Sequence, residues 1–203
     1  MSELKIEKFV MGIYMANCYL VWNGKHVLMI DPGATSRQLV EHLKAENAIV
    51  DGILLTHGHF DHIGGVDYFV NLFLCPVYID EEDITMLKDT HLNGSIPGRE
   101  SVVNSEVKTY ELGENKVGNF TFKTIFAPGH SHGSTMLQFE NLLFSGDVLF
   151  KETIGRTDLP VSSNSEMVNT LHMIRTLSPD LIVYPGHGEA TTLQHELQYN
   201  PYL

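Results

Sequence analysis

Residues 52–65 read GILLTHGHFDHIGG, an apolar run from Ile53 to Leu55 that stops against His57, His59, Asp61 and His62 and then two glycines. Such a run belongs in a buried strand, and ionisable groups cannot follow it into a core unpaired. The strand must end where those side chains meet a common partner. The arrangement recurs three times, for FKTIFAPGH ends at His130, NLLFSGD at Asp147 and DLIVYPGH at His187. Any fold for this chain has to bring four strand ends to one place. No heptad run, low-complexity tract or solenoid repeat competes with that requirement.

Helix signals separate the strands. KIEKFV, CYLVWN and HVLMID read as early strands, with Asn23-Gly24 marking a tight hairpin between the last two. TSRQLVEHLKAEN reads as a helix, with Thr35 and Gln38 at capping-box spacing and Leu39, Val40 and Leu43 on one apolar face. GGVDYFVNLF, EEDITMLKD and TTLQHELQ read as further helices, and the acidic run Glu81-Glu82-Asp83 suits a helix N-terminus through the dipole. Strands near both ends, interrupted by helices, predict two sheets packed face to face with helices outside. The polar stretch of residues 89–106 has no periodicity and is either a lid over a site or a plain surface excursion.

Composition narrows the function classes. With 203 residues, 43% of them hydrophobic, the chain can build one sizeable core, and a single domain over 1–203 is expected. The net charge of −12, without a Lys/Arg cluster, argues against nucleic acid as a partner. The first twenty residues have no leader pattern and no apolar stretch reaches membrane-spanning length, which predicts a soluble, cytosolic protein with no membrane partner. Cys18 and Cys75 lie inside apolar runs and read as reduced core thiols.

The histidines carry the chemistry. His57 and His59, two apart on an extended strand end, point to the same side and can reach one ion. Asp61 and His62 lie just past that strand and face a second point nearby. His130 and His187 each follow a Pro-Gly pair, and Asp147 is the only other carboxylate in an equivalent position. An imidazole offers one lone pair to one metal, whereas a carboxylate has two oxygens, so Asp147 is assigned as a bridge. His57, His59 and His130 then serve one metal, and Asp61, His62 and His187 the other. Imidazole and carboxylate without thiolate suit zinc first, with iron or manganese as alternatives. Two divalent ions against two carboxylates and a hydroxide leave a small positive charge that can receive an oxyanion. His132 reads as loop surface, His26, His42, His91, His172 and His195 as structural or solvated, and Asp31 as either ligand support or turn chemistry.

His57-Gly58-His59-Phe60-Asp61-His62, together with His130, Asp147 and His187, resembles the metallo-β-lactamase superfamily over nearly the whole chain. The early Asp31-Pro32-Gly33 is similar to that superfamily's first motif. The resemblance implies an α+β fold, a four-layer αβ/βα sandwich, with a two-metal site at the shared edge of the sheets. GDVLFKETIGRTDLP after Asp147, YPGHGEATTL around His187 and the final NPYL look like the type II glyoxalases, the hydroxyacylglutathione hydrolases. GRTDLP is also similar to persulfide dioxygenases, and within it Arg156 and Asp158 can pair at the rim. Only 16 residues follow His187, so the chain looks like a short form without the C-terminal helical domain that grips glutathione.

The expected activity is hydrolysis of a small 2-hydroxyacyl thioester such as S-lactoylglutathione by a metal-bridging hydroxide, with Asp61 orienting the nucleophile. The alternatives are a mononuclear iron dioxygenase held by His57, His130 and Asp147, and lactone or β-lactam hydrolysis on the same scaffold. A metal-binding module without catalysis is the non-enzyme reading.

Overall fold

The computed structural model describes residues 4–203. The first sheet holds β1 (Lys5–Met11), β2 (Ala16–Asn23), β3 (His26–Ile30), β4 (Ile49–Leu54), β5 (Val77–Ile79) and β6 (Val107–Thr109) in sequential order. β1, β2 and β3 are antiparallel, whereas β3 to β6 are parallel and need crossovers between them. Helix α1 (Arg37–Ala45) makes the first crossover, and α2 (Phe60–Ile63) with α3 (Val66–Phe73) makes the second.

The second sheet starts with β7 (Gly113–Val117), β8 (Phe120–Phe126), β9 (Thr135–Phe139) and β10 (Leu142–Gly146), an antiparallel meander. A small ribbon of β11 (Leu149–Phe150) and β12 (Thr153–Ile154) follows, and then α4 (Asn164–Ile174). The chain returns as β13 (Ile182–Pro185), parallel to β10, and ends with β14 (Thr191–Thr192) and α5 (Leu193–Tyr199).

Strand side chains alternate between faces, and in this chain both faces are covered. From β2, Cys18, Leu20 and Trp22 join Leu39, Leu43 and Phe69 of α1 and α3 in an outer core. Tyr19 and Val21, on the other face of β2, meet Phe122, Leu137, Phe139 and Phe144 of the second sheet. A third cluster lies beyond the second sheet, where Met136, Leu143 and Val183 pack against Met167, Leu171 and Ile174 of α4. The layers therefore run helix, sheet, sheet, helix, as expected for the sandwich. Cys18 and Cys75 are buried free thiols. No helix among the described residues is long and apolar enough to cross a membrane.

Several local expectations shift. The β2–β3 turn is Gly24-Lys25, one residue later than expected, because Asn23 still pairs with His26 and Gly24 takes the left-handed conformation (φ 64°). Ser36, not Thr35, caps α1 by accepting from the Leu39 amide at 3.1 Å. GGVDYFVNLF contributes α3 alone, with a separate short helix before it. EEDITMLKD forms a 3₁₀ helix over Glu81–Leu87 in place of an α-helix. Helix α4 is an element that apolar periodicity does not reveal, since a threonine, Thr170, stands on its buried face. Ser163 with Glu166 three residues on was the available signal, and Ser163 does cap that helix.

The two sheets are stitched at the edge where the strands end. The buried Asn17 side chain donates to the Pro185 and Gly188 carbonyls at 2.9 and 3.0 Å, and its amide donates to Gly186 O at 2.7 Å. Tyr19 adds a 2.7 Å bond to Pro185 O. Replacing Asn17 by Ala removes these side-chain bonds while Tyr19 and Lys8 still serve the Pro185 and Gly188 carbonyls, so it costs about 1 kcal/mol and should lower Tm by roughly 2–4 °C. Calorimetric melting checks this, and an unchanged Tm would show that the stitch adds nothing.

Candidate metal centre

Four strands terminate at this seam and each delivers a side chain. β4 leads into His57, His59, Asp61 and His62, and β8, β10 and β13 lead into His130, Asp147 and His187. All seven residues come together as expected from the sequence. Ligand atoms of His57, His59 and His130 lie within 4.8 Å of one another, and so do those of Asp61, His62 and His187. Asp147 stands between the two triads: Oδ1 is 3.4 Å from His62 Nε2, and Oδ2 is 3.5 Å from both His130 Nε2 and His187 Nε2. Gly186 makes room for it, since a Cβ there would collide with Asp147 Oδ1.

Hydrogen bonds decide which imidazole nitrogen is free. Thr56 Oγ1 donates to Asp31 Oδ2 (2.6 Å) and so accepts from His57 Nδ1 (3.0 Å). His62 Nδ1 donates to Asp31 Oδ2 (3.0 Å), and His130 Nδ1 donates to the Arg156 carbonyl (3.0 Å). Each of the three therefore turns an Nε2 lone pair toward the centre. His57 Nε2, both nitrogens of His59 and Asp147 Oδ1 are buried with no hydrogen-bond partner. Orphaned buried polar atoms cost about 1–3 kcal/mol each, and their clustering here fits a pair of bound cations.

Electrostatics divides the triads. Burial, reinforced by His62, His59, His130 and His187, holds His57 well below the usual imidazole range, and burial with His130 pushes His59 down to about 2. Both are neutral, the form that binds a metal. In the second triad burial also opposes charge on His62, but Asp147, Asp61 and Asp31 outweigh it and raise that histidine to about 10. His187 is raised by Asp61 and Asp147 against its own burial. Asp61 stays well below the usual carboxylate range, because His62 and His187 overcome its desolvation. A proton and a cation compete for the same lone pairs there.

Asp31 resolves as support. It also lies within reach of His57 and His62 as a third possible ligand group, but its oxygens already accept from the Thr56 amide, the Thr56 hydroxyl and His62. Its φ of 51° is unusual for a non-glycine residue, and those three donors hold it there. Asp83 stands in the first turn of its helix, as expected, and is also fully buried. It accepts from Gly58 N (2.9 Å), Ser131 Oγ (2.6 Å) and Gly133 N (2.7 Å), so one carboxylate ties the His57–His59 loop to the His130 loop. Burial raises its pKa despite those donors. The signal for it was position, since Asp83 shares the buried side of its turn with Met86 and Leu87.

The remaining histidines follow expectation where partners are present. His26, His42 and His195 pair with Asp51, Glu7 and Glu152, and the half-exposed His132 approaches Glu166. Beside the centre opens a cavity of about 410 Å³, walled by Tyr14, Phe60, Phe150, Ile154 and Leu159 and floored by His59, Asp61, His130, Asp147 and His187. Segment 89–106 supplies part of the wall through Asn93 and Gly94. Asn93 is buried, and its side chain bonds Met86 O and Ser101 O at 2.9 and 2.8 Å. Arg156 and Asp158 pair through two bonds of 2.8 and 3.1 Å at the exposed rim, as expected.

Comparison with known proteins places these features. A family model described as Metallo-beta-lactamase superfamily matches residues 11–187. The chain is 34% identical over 206 residues to Probable metallo-hydrolase YqgX of Bacillus subtilis, covering 98% of each. It is 30% identical over 213 residues to Hydroxyacylglutathione hydrolase GloC of Haemophilus influenzae, again covering 98% of each. Among solved structures, BLEG-1 B3 metallo-beta-lactamase superposes with a TM-score of 0.90 at 36% identity, covering 98% of this chain and 99% of that one. TTHA1623 in a di-iron-bound form gives 0.87 at 32%, covering 97% and 100%.

Asp83→Asn keeps the size of the side chain but replaces one accepting oxygen by an NH2 that faces a donor, so one arm of the tie is lost. Affinity for an ion at His57, His59 and His130 should fall about 10–100-fold, with a smaller effect on the other triad. Calorimetric metal titration checks this, and equal losses at both sites would assign Asp83 a general structural role.

Proposed function

The chain belongs to the metallo-beta-lactamase superfamily, and on that premise we propose that this metallo-hydrolase cleaves a small 2-hydroxyacyl thioester, such as S-lactoylglutathione, at two divalent ions. The observation that carries the reading is the placement of Asp147 between two complete triads, within 3.5 Å of a histidine from each. His57, His59 and His130 would hold one ion and Asp61, His62 and His187 the other, with Asp147 placed to serve both. Zinc suits this donor set first, and TTHA1623 in its di-iron-bound form supports iron as the alternative. When bound, the ions supply Lewis acidity and bring the pKa of water down to about 7, which makes a hydrolytic nucleophile available near neutral pH.

The protein's own groups do the rest. Asp61, whose Oδ2 lies 3.4 Å from His187 Nε2, would accept a hydrogen bond from the attacking water and orient it. The apolar wall of Tyr14, Phe60, Phe150, Ile154 and Leu159 excludes bulk water from the acyl group. The cavity's size fits a small molecule. Apart from the proposed ligands, its lining includes no carboxyl group that could protonate a leaving group. A thiol with a pKa of about 8.5 departs without one, whereas an amine or alkoxide does not. The likeness to GloC supports the thioester in particular.

β-Lactam hydrolysis is the second reading, favoured by the 36% identity to BLEG-1 across nearly the full chain. A second intact triad weighs against a single-iron dioxygenase.

Metal content by mass spectrometry, measured with S-lactoylglutathione and chromogenic cephalosporin turnover on one sample, separates these readings. Two metals per chain with thioester turnover are expected. One iron with oxygen uptake on a persulfide would replace the proposal, and cephalosporin turnover alone would shift it to the lactamase reading. Asp147→Ala should lose both metals and all hydrolysis. His62→Ala should empty only the second triad, and a fully active one-metal variant would refute the binuclear mechanism.

A further inference from the structure

Tyr14 and Phe60 meet edge to face, with ring centroids 5.2 Å apart and planes at 87°. Both residues line the metal-centre cavity, and both also line a second cavity of about 290 Å³. The pair is thus a wall common to two chambers. The polar lining of the second chamber includes Arg99, Ser101 and Thr35 from the protein surface and Asp61 from the centre. Asp61 faces His187, with Oδ2 3.4 Å from Nε2, so its charge is already engaged.

Arg99 is not engaged. Among the described residues its guanidinium has no ion pair or hydrogen bond, and neither the Ser101 nor the Thr35 hydroxyl has a hydrogen-bond partner. The backbone around them is nonetheless fixed. Ser101 N donates to Ser95 Oγ at 3.0 Å, Ser101 O accepts from Asn93 at 2.8 Å, and Arg99 N donates to Ile96 O at 2.8 Å. Arg156, the other cation beside the site, is already neutralised by two bonds to Asp158. In a chain of net charge −12, Arg99 is the one cation lining this chamber, and the Ser101 and Thr35 hydroxyls line it too.

We propose that the second chamber is a carboxylate subsite for the thiol half of the substrate. It rests on the thioester reading: the acyl group lies over the metal centre, the thiol chain crosses the Tyr14–Phe60 wall, and its carboxylate meets Arg99. A guanidinium fork matches a carboxylate with two parallel bonds, and the Ser101 and Thr35 hydroxyls can donate as well. A phosphate dianion would leave one charge uncompensated close to Asp61. Segment 89–106 thereby becomes the element that selects the thiol, a role its lack of periodicity concealed.

Binding is measured by calorimetry on the metal-loaded full chain, using S-methylglutathione, which cannot be hydrolysed as a thioester, and its diethyl ester. Arg99→Ala should weaken S-methylglutathione about tenfold and leave the ester unchanged, while Arg99→Lys recovers part of the loss. KM for S-lactoylglutathione should rise by the same factor with kcat preserved. No binding by the wild type, equal affinity of wild type and Arg99→Ala, or an equal loss for the ester would overturn the subsite. Arg99-dependent binding without thioester turnover would uphold the subsite and refute the thioesterase reading.

Discussion

A buried imidazole has one proton to place, and its destination decides which nitrogen faces the ions. Here the destinations are Thr56, Asp31 and the Arg156 carbonyl, and each lies in a segment locked by its own bonds. Asp31 receives three donors while held at φ 51°, so the strand-end turn after β3 is strained in order to serve His62 and Thr56 together. Fixed tautomers are what convert a crowd of histidines into a coordination site.

The support has a division of labour. Asp31 aligns His62 directly and His57 through Thr56, and so touches both triads. Asp83 works through backbone, holding Gly58, Ser131 and Gly133 so that two loops from different sheets keep their distance. Neither carboxylate borders the cavity beside the centre. Each contributes by restricting its neighbours, which is why its burial, otherwise costly for a charge, is tolerated.

The seven clustered residues were legible because strand periodicity has a visible end. An apolar run that stops at His57, His130, Asp147 or His187 announces both the strand and its terminus, and β4, β8, β10 and β13 stand where those runs lie. Fold class followed from the same runs and from the superfamily resemblance. The buried role of Asp83 was hidden because three consecutive acids suit a helix N-terminus without further purpose, and only its place on the Met86–Leu87 side of a turn distinguishes it. Helix α4 was hidden by Thr170, whose hydroxyl bonds the Pro128 carbonyl and so enters the core without an apolar signature. The turn and cap displacements of one residue reflect near-equivalent neighbours, Thr35 and Ser36 being chemically interchangeable as caps.

The layered packing has a mechanical consequence. Each sheet has its own outer core against its own helices, and they share a middle layer rich in aromatic rings, while the proposed ligands are drawn from both. An ion bound at the seam acts as a clasp between two half-shells, so its binding energy is also docking energy for the halves. Rings such as Phe139 and Phe144, which never approach the cavity, then hold a lever over metal retention through the gap between the sheets.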